Sequence, residues 1–341
     1  MAHGRRSPQA SALSALETGA LLLPRRLWRP ILGLILGLVL LALAARGADL
    51  EEIWAGIRQA DPRWAGAALV AVLLTTAAKV ARWRGLFPSH HRPPLSSLGR
   101  ALLVGQLVNA LLPARLGDVA RFYLLGCDED MSKATVLGTV AAEKAFDVLF
   151  LLLTAGLAAT LTSLPPWLHS ALGAVAVLGG LVVAAAVALP RRPVRRLGDR
   201  AAARLPEPIA QSLSRLLQRA VLGLQSLRCP GLAARACAWS AIIWALAAAT
   251  NLALFRAFAL PLFVGPALFL LTLLHVGLVP PSSPGRLGVF HAITVVSLST
   301  FGVGRSTSLA YAAVLHALVY GPQLLFGALA LVLPRRMEDV R

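Results

Sequence analysis

The chain has 341 residues, 57% of them hydrophobic and 14% charged, and its mean hydropathy is +0.71. This composition excludes a soluble globular domain of the same size, and the continuous apolar runs exclude a transmembrane β-barrel, whose strands alternate apolar and polar residues. The net charge of +18 does not indicate nucleic-acid binding, because the arginines lie mostly between apolar runs, where they mark the cytoplasmic side of a membrane. We therefore expect an all-α, polytopic integral membrane protein.

Six apolar runs predict full transmembrane helices. The first, at residues 30–45, follows a basic arm at 1–29. It is either a retained span or a cleavable signal sequence, since Ala42-Leu43-Ala44 resembles a cleavage site. A short mixed-charge loop is expected at 46–63. The other five spans are predicted at 64–83, 134–163, 167–189, 236–260 and 308–333.

Charge asymmetry predicts the orientation of these spans. Four segments are basic and are expected in the cytoplasm: the arm 1–29, the loop 79–100, the loop 190–235 and the tail 334–341. Lys79 and Arg82, at the end of the second span, are assigned to this cytoplasmic side. In the loop 190–235, apolar residues at helical spacing between 209 and 224 predict an interfacial amphipathic helix that contacts anionic lipid head groups. We expect a plasma-membrane protein with both termini inside.

Two apolar regions, 101–125 and 265–303, contain breaks. Residues 101–112 make only about 18 Å of helix, which cannot cross a hydrocarbon core of about 30 Å. Pro113 and Gly117 then interrupt the run, and the second region is interrupted in the same way by the sequence PPSSPGRLG. Each region is therefore expected to form a re-entrant hairpin of two half-helices.

The order span–hairpin–span occurs twice, at 64–163 and at 236–333, and the charge pattern gives the two copies opposite orientations. This arrangement predicts an inverted-topology repeat within a single transmembrane domain at 30–333. In such repeats the interrupted segments of the two halves form the substrate site, because unwound backbone at membrane depth persists where it lines a polar cavity or is buried in protein.

Arg115 and Arg286 lie at the two breaks. Each break also precedes the N-terminus of a half-helix, whose free N–H groups favour an anion. Together these features predict a cradle for a lipid phosphate. The alternative is that each arginine pairs with an internal acid and locks its turn.

Further charges lie inside the predicted membrane domain. Glu143 and Asp147 are four residues apart, hence on one helix face, with Lys144 between them. Three roles stay open for the acids: pairing with Arg115 or Arg121, binding a cationic part of a head group, or carrying protons. Asp118 and Arg121, three residues apart, are expected to pair.

His275 and His291 flank the second break and act either as packing residues or as proton relays. The candidate substrate-binding residues are Arg115, Arg286, Asp118, Arg121, Glu143, Lys144, Asp147, Asn109, His275 and His291. Weaker candidates for lining a cavity are Asn251, Arg256, His316, Tyr320 and Gln323. The sequence has no metalloprotease, esterase or phosphate-loop motif, so we expect no catalytic residues, no cofactor and no metal.

Three stretches, LVGQLVNALLPARLGDVARFYLL, GTVAAEKAFDVLFLL and PPSSPGRLGVFHA, resemble the lysylphosphatidylglycerol synthase transmembrane region family. This flippase-like domain is found in the multiple peptide resistance factor and in stand-alone membrane proteins. The resemblance covers nearly the whole chain and implies lipid translocation between leaflets. The family pattern Pro-x-Arg-Leu-Gly-acid falls on residues 113–118, and the pattern Glu-basic-x-x-Asp falls on residues 143–147.

The chain departs from the family pattern at the second break. The family commonly has glycine at the position of Arg286 and glutamate at that of His291. A second arginine and a lost acid favour a more anionic lipid over a cationic aminoacyl lipid. Two kinds of protein partner stay open: a separate lipid-synthesising enzyme, and further copies of this chain in a homo-oligomer. The alternative function is a membrane subunit of, or accessory protein to, an envelope-lipid-modifying or glycosylating enzyme.

Overall fold

The computed structural model describes residues 33–87, 92–112, 116–129, 133–162, 230–279 and 283–332, with a few isolated residues between them. The regular elements within these ranges are all helical, which confirms the all-α prediction for them. In chain order they are α1 (Gly33–Ala45), α2 (Leu50–Gln59), α3 (Pro62–Gly85), α4 (Leu95–Leu111), α5 (Gly117–Asp128), α6 (Lys133–Leu161), α7 (Pro230–Ala257), α8 (Val264–Gly277), α9 (Val289–Ser299) and α10 (Arg305–Val332).

Three helices, α3, α7 and α10, are long and apolar enough to cross a membrane, and they match predicted spans. A fourth span results if α1 and α2, which meet at 86°, are counted as one. Helix α6 has 29 residues and covers the predicted span 134–163. The arm 1–29, most of the span 167–189 and of the loop 190–235, and the tail 334–341 lie outside the described residues. The count of six spans therefore stays a prediction.

The segment 46–63 is not simply a loop, as the sequence analysis expected, because it contains α2. Asp49 caps this helix by accepting a hydrogen bond from the backbone N–H of Glu51 at 2.8 Å. Leu50 and Trp54 are exposed, and Arg58 lies over the Trp54 ring at 5.0 Å. Apolar residues at helical spacing beside charged ones suit a helix that lies flat at the membrane interface.

Both predicted breaks are present. The arm before the first break is longer than predicted, because α4 already begins at Leu95. Its 17 residues still amount to only about 25 Å of helix. At the second break α8 and α9 have 14 and 11 residues, and a 3₁₀ turn at Pro284–Arg286 joins them. The two helices that flank each break pack against each other.

The contacts of α3–α6 have counterparts in α7–α10. Helix α3 packs along α7. The contact of α4 with α10 corresponds to that of α8 with α6, and the contact of α5 with α6 corresponds to that of α9 with α10. The two sets of four helices therefore interlock as a single body, and each break lies beside helices of both sets.

Candidate functional site

A cavity of about 340 Å³ lies between the two sets of helices, and every helix from α3 to α10 contributes to its wall. Eight predicted candidates line it: Asn109, Asp118, Arg121, Glu143, Lys144, Asp147, His275 and Arg286. Three weaker candidates do so as well: Asn251, Tyr320 and Gln323. Arg115 lies outside the described residues, and His291 is not part of the wall.

Glu143 is buried at the centre of an ion-pair network. Its Oε2 lies 2.8 Å from Arg121 Nη2, and its Oε1 lies 3.2 Å from Arg82 Nη2. Arg82 comes from α3 and is fully buried, so it reaches the acid from a helix far away in sequence. Two guanidinium groups on one carboxylate compensate the burial of its charge. Of the three roles predicted for Glu143, the geometry favours internal pairing.

Asp147 is held by the same arginine. Its Oδ1 lies 2.7 Å from Arg82 Nη1, which also donates a hydrogen bond to Ser240 Oγ at 3.0 Å. Arg82 therefore bridges α3, α6 and α7. The sequence analysis assigned Arg82 to the cytoplasmic side of the span, and the structure instead makes it a buried part of this network.

The third acid of the cavity, Asp118, makes longer ion pairs than the other two. The predicted pair with Arg121 is present at 3.8 Å, and Lys144 Nζ lies 3.5 Å from the other carboxylate oxygen. The guanidinium of Arg121 lies 4.1 Å above the ring of Trp83, where a cation is attracted to the π face. All three acids of the cavity wall thus have basic partners.

The first break is closed within its own hairpin. Asn109 Oδ1 accepts a hydrogen bond from the backbone N–H of Gly117 at 2.8 Å, so the amide satisfies the first donor of α5. A Cβ at Gly117 would overlap the backbone oxygen of Gly105, so the two helices approach where neither has a side chain. Nearby, Gln106 Oε1 is buried and has no hydrogen-bond partner among the described residues.

The second break is held within its hairpin, where Ser283 Oγ donates a hydrogen bond to the backbone oxygen of Leu287, and also by residues outside it. His316 Nε2, on α10, bonds to the backbone oxygen of Gly285 at 2.8 Å. Gly288 has φ +83°, and a Cβ there would overlap the backbone oxygen of Gly37 on α1. The ring of His291 packs 5.2 Å from that of His316, so His291 belongs to this support rather than to the cavity wall.

His275 faces the cavity from α8. Its Nδ1 lies 2.8 Å from the backbone oxygen of Leu271, and its ring packs 4.6 Å from that of Trp244. Because a carbonyl oxygen only accepts, Nδ1 carries a proton in this geometry and Nε2 is left for another partner.

Two cations of the wall make no direct ion pair with a described residue. Among the described residues, no acid lies within ion-pair distance of Lys79 on α3 or of Arg286 at the second break. Both interact electrostatically with His275. Lys79 was missed as a candidate, although Thr75, Lys79 and Arg82 recur at helical spacing in an otherwise apolar span, which marks a polar face.

Comparisons with known proteins give three findings. The family model described as lysylphosphatidylglycerol synthase TM region matches residues 31–327. The chain is 24% identical over 323 residues to a glycosyltransferase, AglD, of Haloferax volcanii; the match covers 84% of this chain and 51% of that protein. The chain therefore spans about half the length of this relative. No solved structure gave a significant match.

Proposed function

Since the chain belongs to the lysylphosphatidylglycerol synthase transmembrane region family, we propose that it is a lipid flippase, which moves a phospholipid or a lipid-linked precursor between the leaflets of the plasma membrane. The chain is a helical, multi-pass membrane protein, tied by its relatives to lipid or glycosylation pathways. A cavity with both charged and apolar walls, lined by both sets of helices, carries this proposal.

The two sets of helices are proposed to be an inverted-topology repeat with two re-entrant hairpins. Support comes from the matching contacts of α3–α6 and α7–α10 and from the three short helices α4, α8 and α9. In transporters built this way, the substrate site lies near the membrane midplane where broken helices meet, and the two repeats rock against each other.

The head-group phosphate is proposed to bind at the helix breaks. Arg286 supports this role, because it lines the cavity and makes no ion pair with any residue described by the structure. An arginine that only locked its turn would need an acid there. Arg115 is the corresponding proposal for the first break. The arginine-rich loop 190–235, with both termini cytoplasmic, is proposed to contact anionic lipid head groups.

The test is lipid translocation by the purified full chain in proteoliposomes. Phospholipids labelled on an acyl chain are bleached from outside, with and without a proton gradient, and the protected fraction reports lipid in the inner leaflet. We expect faster translocation than in protein-free vesicles and a loss in Arg286→Gln. The control is Arg84→Gln, which removes one charge from the exposed end of α3. A rate equal to that of empty vesicles would contradict the proposal.

The similarity to a glycosyltransferase supports a second candidate, an accessory membrane protein of a glycosylating or lipid-modifying enzyme. This function predicts no translocation by the chain alone. It also predicts that cells without the chain lose a lipid-linked product and that Arg286→Gln restores it as well as the wild type does. Failure of that variant to restore the product would favour the transport function.

A further inference from the structure

The carboxylates of the cavity already have internal basic partners. Glu143 holds two arginines, Asp147 holds the buried Arg82, and Asp118 lies between Arg121 and Lys144. A lipid with an ammonium group would have to compete with these internal cations. For the buried pairs this would leave a guanidinium without a partner in a low-dielectric interior, which is strongly unfavourable.

Two cations of the cavity wall make no direct ion pair. Lys79 and Arg286 are the wall cations that have no acid within ion-pair distance among the described residues, and they come from opposite sets of helices. Both line the same cavity as His275, and Asp147 of the same wall acts on Lys79 electrostatically without pairing with it. A second cation entering there would meet two like charges where solvent screening is weak.

Neutral polar groups and apolar walls surround these cations. Thr75, Thr76 and the His275 ring line the same cavity, where the threonine hydroxyls donate to backbone oxygens of α3 and His275 Nδ1 bonds to the backbone oxygen of Leu271. Leu274, Phe290 and Val319 form part of the wall and suit the glycerol or isoprenoid carbons next to a phosphate. The volume of about 340 Å³ is at the low end for small-molecule pockets and holds a head group, while acyl chains must stay outside.

Building on the proposed flippase function, we propose that the cavity selects lipids whose head group is anionic and lacks an amino group, with the phosphate held between Lys79 and Arg286. Lys79 is thereby a substrate-binding residue that was not among the candidates predicted from the sequence. Arg82 is a positioning residue, since it keeps Glu143 and Asp147 occupied and out of reach of the substrate.

Native mass spectrometry of the full chain in detergent tests the binding step. Phosphatidylglycerol, phosphatidylethanolamine and lysylphosphatidylglycerol compete at equal concentrations, and inorganic phosphate is added in a separate arm. We expect phosphatidylglycerol to occupy the protein at least about tenfold more than either amino lipid, because the three lipids share the phosphate and only the amino lipids bring an ammonium group next to the cations of the site. Equal occupancy, or a preference for lysylphosphatidylglycerol, would overturn the selectivity.

Substitutions of Lys79 and Arg286 test whether these two residues bind the phosphate. Lys79→Gln and Arg286→Gln are each expected to lower phosphatidylglycerol occupancy about tenfold, Lys79→Arg to retain most of it, and Lys79→Glu with Arg286→Glu to shift the preference towards lysylphosphatidylglycerol. Arg84→Gln is the charge-matched control. Folding is checked by melting temperature and gel filtration. Occupancy that is unchanged in folded Lys79→Gln would show that the phosphate binds elsewhere.

Two further arms separate this inference from the proposed function. If inorganic phosphate stabilises the protein against heat and phosphatidylglycerol does not, the site takes a soluble anion and the lipid assignment is wrong. If the anionic lipid binds selectively through Lys79 and Arg286 but no lipid crosses proteoliposomes, the inference stands and the flippase function fails. If lipids cross at equal rates whatever their head group, the selectivity fails and the flippase function stands.

Discussion

At the first break, α4 and α5 are joined to each other by the Asn109–Gly117 hydrogen bond, whereas at the second break a hydrogen bond from Ser283 Oγ to the backbone oxygen of Leu287 is supplemented from outside the hairpin by His316 and by Gly37. The arginines near the two breaks also differ in their ion pairs. Arg121, which follows the first break, is ion-paired, and Arg286, at the second, makes no ion pair with a described residue.

This difference indicates that the charged residues of the two sets of helices have different roles. The first set contains the acids of the cavity and, with Arg82, neutralises them, so its charges mainly hold helices together. The second set contributes a cation that its neighbours leave free. Two halves with matching helix contacts thus need not have matching chemistry, and the following substitutions test the asymmetry from the largest expected effect to the smallest.

Arg82→Gln is expected to have the largest effect on stability. It leaves Asp147 without its arginine and removes one of the two arginines on Glu143, and breaking a buried ion pair costs about 3–5 kcal/mol. The melting temperature in detergent should fall sharply, while Arg84→Gln on the same helix stays near wild type. Arg286→Gln should also melt near wild type, because Arg286 makes no ion pair with a described residue. A comparable fall in the melting temperature of Arg286→Gln would contradict the difference between the charges of the two sets of helices.

Gly117→Ala and Gly288→Ala compare the close approaches at the two breaks. Each added Cβ would overlap a backbone oxygen, of Gly105 in one hairpin and of Gly37 on α1 in the other. We expect each variant to lose about 1–3 kcal/mol of stability by overpacking. The control is Gly99→Ala, because a Cβ there meets nothing within 4 Å. Unfolding curves that overlay the wild type would show that these contacts are looser than the geometry indicates.

His316→Phe and Asn109→Ala each remove one hydrogen bond at a break, a loss of about 1 kcal/mol. Phenylalanine keeps the ring that packs against Tyr320 at 4.5 Å but releases the backbone oxygen of Gly285, next to Arg286. Affinity for phosphatidylglycerol, measured by native mass spectrometry, should therefore fall more in His316→Phe than in Asn109→Ala. The reverse order would assign lipid contact to the first break.

Asp118→Asn is expected to have the smallest effect. Its side chain is 27% exposed and its partners are 3.5 and 3.8 Å away, so the pairs contribute at most about 1 kcal/mol. Glu143→Gln, in the buried part of the same network, should destabilise the protein several times more in the same melting assay. Binding of phosphatidylglycerol should rise slightly in Asp118→Asn, since the cavity loses a negative charge. Weaker binding would instead indicate that Asp118 contacts the head group.

Much of the fold followed from local properties of the sequence. Apolar runs, with prolines and glycines between them, were sufficient to predict α3, α6, α7, α10 and both breaks, because helix formation and termination depend on nearby residues. Helix α2 was missed, since its four apolar positions are mixed with charges and its cap, Asp49, resembled a loop residue. Most of the polar residues of the cavity wall were also predicted, because a polar residue within an apolar domain must face protein or water.

The sequence by itself determined which residues are polar inside the membrane domain and where its helices break. Apart from the predicted pair of Asp118 and Arg121, only the tertiary structure decided which charges form ion pairs. Arg82 and Asp147 are 65 residues apart, and no spacing rule predicts a pair between two different helices. Helix packing determines it, by bringing Arg82 of α3 against the acids of α6. The same packing leaves Lys79 and Arg286 facing the cavity without a direct ion pair to any described acid, so the charge that a ligand meets there depends on the fold and not on either half alone.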